Sequence, residues 1–337
     1  RERIRGGGTH REMATASPCG IRGIGYCEEV GSRPEMEDAI AVYPNLTPDA
    51  ELPDTNRKET CSAGKSSQRQ LALFGIYDGH GGKQAAQFCS KTIPKLVGQH
   101  LARNENLEQA LSQTYTECDN LLRQHLTDNF SDSTEYASGC TAVSLCIDIN
   151  PEHGKMNLAC ANLGDSRCIL VHTSGEVTPL SKDHTPALEE ERTRIEAAGG
   201  FISDGKGKKQ DRVLGIIAVS RALGDFSLKM PAVCSWGSKS MPITEDIVSG
   251  QPEIITRCCT PQEEYAIIMA CDGIWDVFSS NDAADFLLRQ SRTFKRRKPG
   301  ATPDESATFL AEAIVQEALV RRSRDNCSCI VVLLNDL

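Results

Sequence analysis

Apolar residues in this chain gather into short unbroken runs, and the polar residues that bound those runs carry the information. Leu71-Ala-Leu-Phe-Gly-Ile-Tyr77 and Tyr265-Ala-Ile-Ile-Met-Ala-Cys271 have the length and continuity of buried strands, and each runs into Asp-Gly. Ala39-Ile-Ala-Val-Tyr43 and Cys327-Ser-Cys-Ile-Val-Val-Leu-Leu334 are two more, preceded by Glu37-Asp38 and Asp325-Asn326. In an antiparallel pair the end of one strand lies beside the start of its partner. Pairing 71–77 with 39–43, and 265–271 with 327–334, carries all four acidic positions to one sheet edge. A lone Asp-Gly is an ordinary turn. Repeated beside two acidic strand starts, it points to ligation, because carboxylates packed together repel and raise one another's pKa values, and divalent cations relieve that repulsion.

The remaining pattern predicts the surrounding architecture. Residues 141–149, 156–162, 168–172 and 215–220 read as further strands. Helical spacing appears at Ala85, Phe88, Cys89, Ile93 and Leu96, and again at Leu107, Ala110, Leu111, Tyr115, Cys118, Leu121 and Leu122. A third helix is expected from Thr185-Pro186 to Gly199-Gly200. A fourth opens at Thr302-Pro-Asp-Glu305, where threonine caps, proline takes the first turn and glutamate completes a capping box. Strand clusters flanked by helix pairs predict an antiparallel core covered by helices, not a doubly wound parallel sheet. Residues 45–70, rich in Pro, Ser, Thr and charge, read as a loop insertion, and 200–250 as a surface flap whose 226–250 stretch contains Trp236. The Arg/Gly-rich start, 1–18, reads as disordered or foreign to the domain, leaving 19–337 as one expected catalytic domain.

Composition narrows the classes. With 39% hydrophobic and 25% charged residues over 337 positions the chain is an ordinary globular one. A net charge of −9 argues against nonspecific nucleic-acid binding. No signal-peptide pattern or 18-residue apolar span is visible, so no membrane association is expected. The expectation is a cytoplasmic monomer, with nuclear location as an alternative. Phe294-Lys-Arg-Arg-Lys298 is read as a solvated loop in preference to a nuclear address or a contact for an acidic partner. The fifteen cysteines contain no Cys-x-x-Cys and read as buried reduced thiols, not zinc ligands. Ala63-Gly64-Lys65-Ser66 imitates the tail of a phosphate-binding loop, but Glu59 stands where its first glycine belongs.

Seven motifs in series then carry a resemblance. Arg33-Pro-Glu-Met-Glu37-Asp38, Tyr77-Asp78-Gly79-His80-Gly81-Gly82, Gly139-Cys-Thr-Ala142, Asn162-Leu-Gly-Asp165-Ser-Arg167, Val219-Ser-Arg-Ala-Leu-Gly-Asp225, Ala270-Cys-Asp272-Gly-Ile-Trp-Asp276-Val277 and Asp325-Asn326 together resemble the PPM (type 2C) family of metal-dependent serine/threonine protein phosphatases. The resemblance implies an α+β fold, a four-layer α-β-β-α sandwich of two antiparallel sheets flanked by helices. It also implies two Mg²⁺ or Mn²⁺ ions per site and a weaker third.

By position, Asp78 resembles the carboxylate bridging both ions, Glu37 and the Gly79 carbonyl the ligands of one, and Asp272 and Asp325 those of the other. Asp38 resembles an acceptor that orients water, Arg33 a phosphate clamp and His80 a general acid. Asp165 and Asp276 match the third metal site. These roles suit the residue types. Oxygen donors favour Mg²⁺ and Mn²⁺, a guanidinium fork matches phosphoryl oxygens, and an alkoxide leaving from serine or threonine needs a proton. The implied activity is hydrolysis of phosphoserine and phosphothreonine in proteins by metal-activated water in one in-line step. An inactive phosphatase-like binding scaffold and a two-metal hydrolase of small phosphoesters are the alternatives.

Overall fold

A computed structural model describes residues 20–47, 70–103, 105–150, 155–203, 211–229, 233–236, 239–242, 245–260 and 262–336. Most of the expected 45–70 insertion, the 1–18 segment and the 63–66 motif lie outside the described residues, as does the Trp236 side chain.

Two five-stranded antiparallel sheets form the centre. The first runs β1 (Gly23–Glu29), β17 (Cys327–Leu333), β16 (Glu264–Ala270), β8 (Arg167–His172) and β9 (Val177–Pro179). The second runs β15 (Glu253–Cys259), β7 (Lys155–Leu163), β6 (Ala142–Asn150), β3 (Gln70–Tyr77) and β2 (Ala39–Tyr43). Phe74, Ile76, Val143, Leu145 and Leu158 of the second sheet pack against Leu170, Ile267, Met269, Ile330 and Val332 of the first, all 0 to 1% exposed. Each such side chain contributes about 1.5–3 kcal/mol when fully buried. This inter-sheet core therefore fixes how the two sheets stand relative to each other.

Helices cover both outer faces. α1 (Gln84–Ala102) and α2 (Leu107–Phe130) bury Cys89, Ile93, Leu111, Tyr115 and Leu122 on the second sheet. The first is covered by α5 (Ser280–Arg297) and α6 (Pro303–Val320), with the short α4 (Asp272–Trp275) at its end. α6 has the capping box expected at Thr302 and Glu305, with Pro303 in its first turn. The four-layer expectation holds, because three separate apolar layers lie between helices and sheet, sheet and sheet, and sheet and helices.

Smaller elements complete the description: β4 (Gly79–His80), β5 (Gly139–Cys140) and β12 (Leu223–Gly224) form a three-stranded ribbon. α3 (Glu189–Ala197), shorter than expected, precedes the β10 (Ile202–Ser203) and β11 (Arg212–Val213) pair. β13 (Val233–Trp236) pairs with β14 (Lys239–Pro242), so the stretch read as irregular contains a hairpin.

Several expectations need correcting. Residues 215–220 are not a strand: Leu214 and Gly215 both have positive φ (52° and 72°), and the chain turns back through a single bridge between Val213 and Ile217. The 294–298 run is not a free loop. Residues 294–297 are the last turn of α5, where Phe294 stacks on Phe309 of α6 at 4.3 Å between centroids, and the cations lie at the negative end of the helix dipole. The cysteines with described side chains are free thiols, but Cys258 is exposed and Cys27 half-buried.

Candidate metal centre

The strand register puts the acidic residues together. Ala39 pairs with Tyr77, so Asp38, one residue before β2, lies beside Asp78, one residue after β3. Ala270 pairs with Cys329, so Asp272 stands near the start of β17, which Asp325 precedes by two residues. The two pairs belong to different sheets. The acids therefore meet at the common end of the sandwich, not along one sheet edge.

Both Asp-Gly steps serve close approach. Neither Gly79 nor Gly273 has a positive φ. Instead, a Cβ at Gly79 would overlap the Glu37 carbonyl oxygen and approach its carbon to 3.0 Å, and a Cβ at Gly273 would do the same to Asn326. Each glycine lets an aspartate-bearing turn press against the backbone that opens the partner strand. Asn326 locks the other side. Its Oδ1 accepts from the Glu37 backbone N–H at 2.8 Å, and its Nδ2 donates to the carbonyls of Val30 (2.8 Å) and Glu35 (3.0 Å). The loop bearing Arg33 and Glu37 is thereby tied to β17.

The electrostatics are those of crowded acids, Asp38 buried and Asp78, Asp165 and Asp272 half-buried. Asp38, Asp78 and Cys271 have potential ligand atoms all within 4.8 Å of one another. Burial pushes the Asp78 carboxyl well above the usual range, and Asp38, Asp272, Asp165 and Asp325 push it further. Asp272 is raised in the same way, by burial and then by Asp165, Asp325 and Asp276. Asp38 is raised by burial although Ser328 Oγ donates to its Oδ2 at 2.6 Å. Asp165, at the turn between β7 and β8, is pushed to about 7 by burial and by Asp183. Arg167 holds that turn, donating to both Asp183 oxygens at 2.9 and 2.6 Å.

Other expected residues lie at the rim. Arg33 is exposed and pairs with Asp325 at 2.5 Å. Glu37 Oε1 accepts from the Gly82 N–H at 2.7 Å, and so stands apart from the tight Asp38, Asp78, Cys271 group. Asp276 is exposed at the end of α4, its N–H donating to the Asp272 carbonyl at 2.8 Å. His80 Nε2 lies 2.8 Å from Asp225 Oδ2. Burial alone would lower the His80 pKa, but the Asp225 carboxylate prevails and raises it.

The residues fit a hard divalent cation. Oxygen donors converge with mutual repulsion that positive charge would relieve. Cys271 does not compete as a ligand, since burial holds its thiol well above the ordinary range. Its sulfur already donates to the Asn326 carbonyl and accepts from the Ser328 N–H. Asn326 and Asp225 are two residues whose roles sequence reasoning missed; both stand in the motifs quoted above, which was the available signal.

Comparison with known proteins places this arrangement. The Protein phosphatase 2C family matches residues 22–327. Protein phosphatase 2C homolog 2 of Saccharomyces cerevisiae is 33% identical over 277 residues, covering 81% of this chain and 51% of the yeast protein. The homolog 2 of Schizosaccharomyces pombe is 33% identical over 320 residues, covering 93% of this chain and 73% of that protein. Among solved structures, a Caenorhabditis elegans sex determining protein aligns with a TM-score of 0.70 at 24% identity, covering 94% of this chain and 65% of its own. Serine-threonine phosphatase 2C from Toxoplasma gondii aligns at 0.65 and 21%, covering 95% and 96%. These two likenesses bear on the fold.

Family match and fold thus agree on a family of phosphatases. The chain belongs to the protein phosphatase 2C family, whose members are metal-dependent serine/threonine phosphatases. It spans about half the length of the Saccharomyces relative. Among the described residues no helix is long and apolar enough to cross a membrane.

Proposed function

We propose that this chain is an active phosphatase of phosphoserine and phosphothreonine in proteins, working with two Mg²⁺ or Mn²⁺ ions and a weaker third. One observation carries the reading: six aspartates from both sheets, Asp38, Asp78, Asp165, Asp272, Asp276 and Asp325, converge where burial and mutual repulsion raise the pKa values of several of them. Asp78 would bridge two ions, Glu37 and the Gly79 carbonyl would serve one, and Asp272 and Asp325 the other. Asp165 and Asp276 would hold the third. When bound, such ions neutralise phosphoryl charge and lower the pKa of coordinated water toward neutrality.

The chain's own groups do the rest. Arg33, at the exposed rim and within reach of Asp325, can turn its planar fork to the phosphoryl oxygens. Asp38, buried and held by Ser328, presents a fixed acceptor that orients water toward phosphorus. His80 supplies the leaving group's proton. Its Nε2 is engaged by Asp225, so the transferred proton is the one on Nδ1. As the phosphorus–oxygen bond breaks, the departing serine or threonine Oγ takes that proton and the ring regains one from solvent.

The domain is expected to span 19–337, to act as a monomer and to work in the cytoplasm. Turnover of a phosphothreonine peptide and of a phosphodiester, each titrated with Mn²⁺, tests the assignment. Metal-dependent hydrolysis of the peptide with little diester cleavage is expected. Preference for the diester, or no metal-dependent turnover of either, would overturn it.

A further inference from the structure

The geometry points to Asp225 as the positioning residue that fixes the His80 ring for proton delivery, an inference that rests on reading His80 as the proton donor. Asp225 is 7% exposed and its Oδ2 meets His80 Nε2 at 2.8 Å. Three features show that the contact is built into the fold. First, Asp225 adopts a left-handed backbone (φ 51°, ψ 40°), a conformation that non-glycine residues rarely take without a local reason.

Second, the pair depends on a missing side chain. Gly139, on β5 beside His80, leaves the room in which the two groups touch; a Cβ there would stand 2.5 Å from His80 Nε2 and 2.6 Å from Asp225 Cγ.

Third, the loop bearing Asp225 is clamped at both ends by one side chain of α2. Asp119 Oδ1 accepts from the Gly224 N–H at 2.8 Å, and its Oδ2 accepts from Lys229 Nζ at 2.6 Å. Lys229 is 1% exposed and donates also to the Ala222 carbonyl at 2.8 Å. A buried charge pair spanning the loop is costly to break, so Asp225 has little freedom to leave the ring. With Nε2 held by Asp225, proton delivery falls to Nδ1.

A leaving-group comparison tests this role, because p-nitrophenolate departs readily as an anion while a threonine alkoxide requires a proton. In the Mn²⁺-loaded protein, Asp225→Asn should lower the ratio of kcat on a phosphothreonine peptide to kcat on p-nitrophenyl phosphate by about 100-fold, the lower range for loss of general acid catalysis. Gly139→Ala keeps Asp225 but separates it from the ring, and should lower the same ratio. Circular dichroism verifies that each variant is folded. His80→Ala is the control for the underlying reading. If it leaves the ratio unchanged, His80 is not the donor and that reading falls. If His80→Ala lowers the ratio while Asp225→Asn and Gly139→Ala retain the wild-type value, the role of Asp225 is refuted and the donor assignment stands. Equal losses on both substrates in Asp225→Asn would likewise refute positioning and leave Asp225 a structural residue.

Discussion

Replacing Gly273 by alanine should disable the site through the backbone alone. The new Cβ would overlap the Asn326 carbonyl oxygen and come within 3.0 Å of its carbon, whereas non-bonded carbons rest at about 3.5–4.0 Å. Relief requires the α4 turn and the start of β17 to part by on the order of 1 Å. Overpacking of this kind costs about 1–3 kcal/mol, which for a domain of about 300 residues lowers Tm by roughly 1–5 °C. Activity should suffer more. Asp272 is the residue before Gly273 and Asp325 the one before Asn326, so the displacement falls on two proposed ligands, and a misplacement of about 1 Å can lower turnover by roughly 100-fold. Thermal melts with and without Mn²⁺, together with phosphopeptide turnover across a Mn²⁺ titration, measure both effects. Gly300→Ala, where a Cβ meets nothing within 4 Å, is the control. Should Gly273→Ala match the control in both Tm and turnover, the close-approach argument is wrong.

Three other perturbations have definite expected outcomes. Asp78→Asn should reduce Mn²⁺-dependent turnover by at least 100-fold while raising Tm in chelator, since a crowded carboxyl held far above its usual range is removed; a lower Tm in chelator would contradict the crowding argument. Metal-free protein should lose stability as pH rises from 5 to 8. Carboxyls whose folded pKa is raised, such as Asp165 at about 7, favour folding when protonated and lose that advantage above their unfolded value. His80, raised by Asp225 against burial, acts in the same direction, and His184, lowered by burial, opposes it. Saturating Mg²⁺ should flatten the slope, as denaturant midpoints across that range would report. Glu191→Gln should destabilise by about 3 kcal/mol, the range for breaking a buried ion pair: Glu191 is 1% exposed, bound by Arg194 and Arg221, and held at about 2. A denaturant midpoint equal to wild type would show that the arginines find other partners.

How much of this could be read from the chain differs by feature. The strand-end logic was legible because two apolar runs ending in Asp-Gly have partners that begin with acids, and the observed registers pair them as expected. Sheet membership was not legible. Strands buried on both faces show no alternation to say which layer they join, so the acids were expected at one edge when they come from two sheets. α5 escaped notice because its short stripe of Ala283, Ala284, Phe286, Leu287 and Leu288 is followed by a dense run of cations. Residues 215–220 looked like a strand from their apolar content, but Val213, Leu214, Ile217 and Val219 are buried in a small cluster of their own with Ile195 and Ile247. The link between Asp225 and His80 joins positions 145 residues apart through the space above Gly139, and no local pattern encodes it.

The place of β17 has a bearing on how the molecule is made. This strand, which follows Asp325, lies between β1 and β16, so among the described strands β1 has no sheet neighbour until β17 is translated. At 5–20 residues per second, the roughly 300 residues between them take on the order of 15–60 s. Through that interval the second sheet can form with α1 and α2 while the first remains open, and its inward-facing valines and isoleucines need shielding by a chaperone or by the half already formed. A ribosome-bound chain arrested before residue 325 would hold Asp38 and Asp78 but lack Asp325 and the strand behind it, so the proposed metal centre is complete only once β17 has been added.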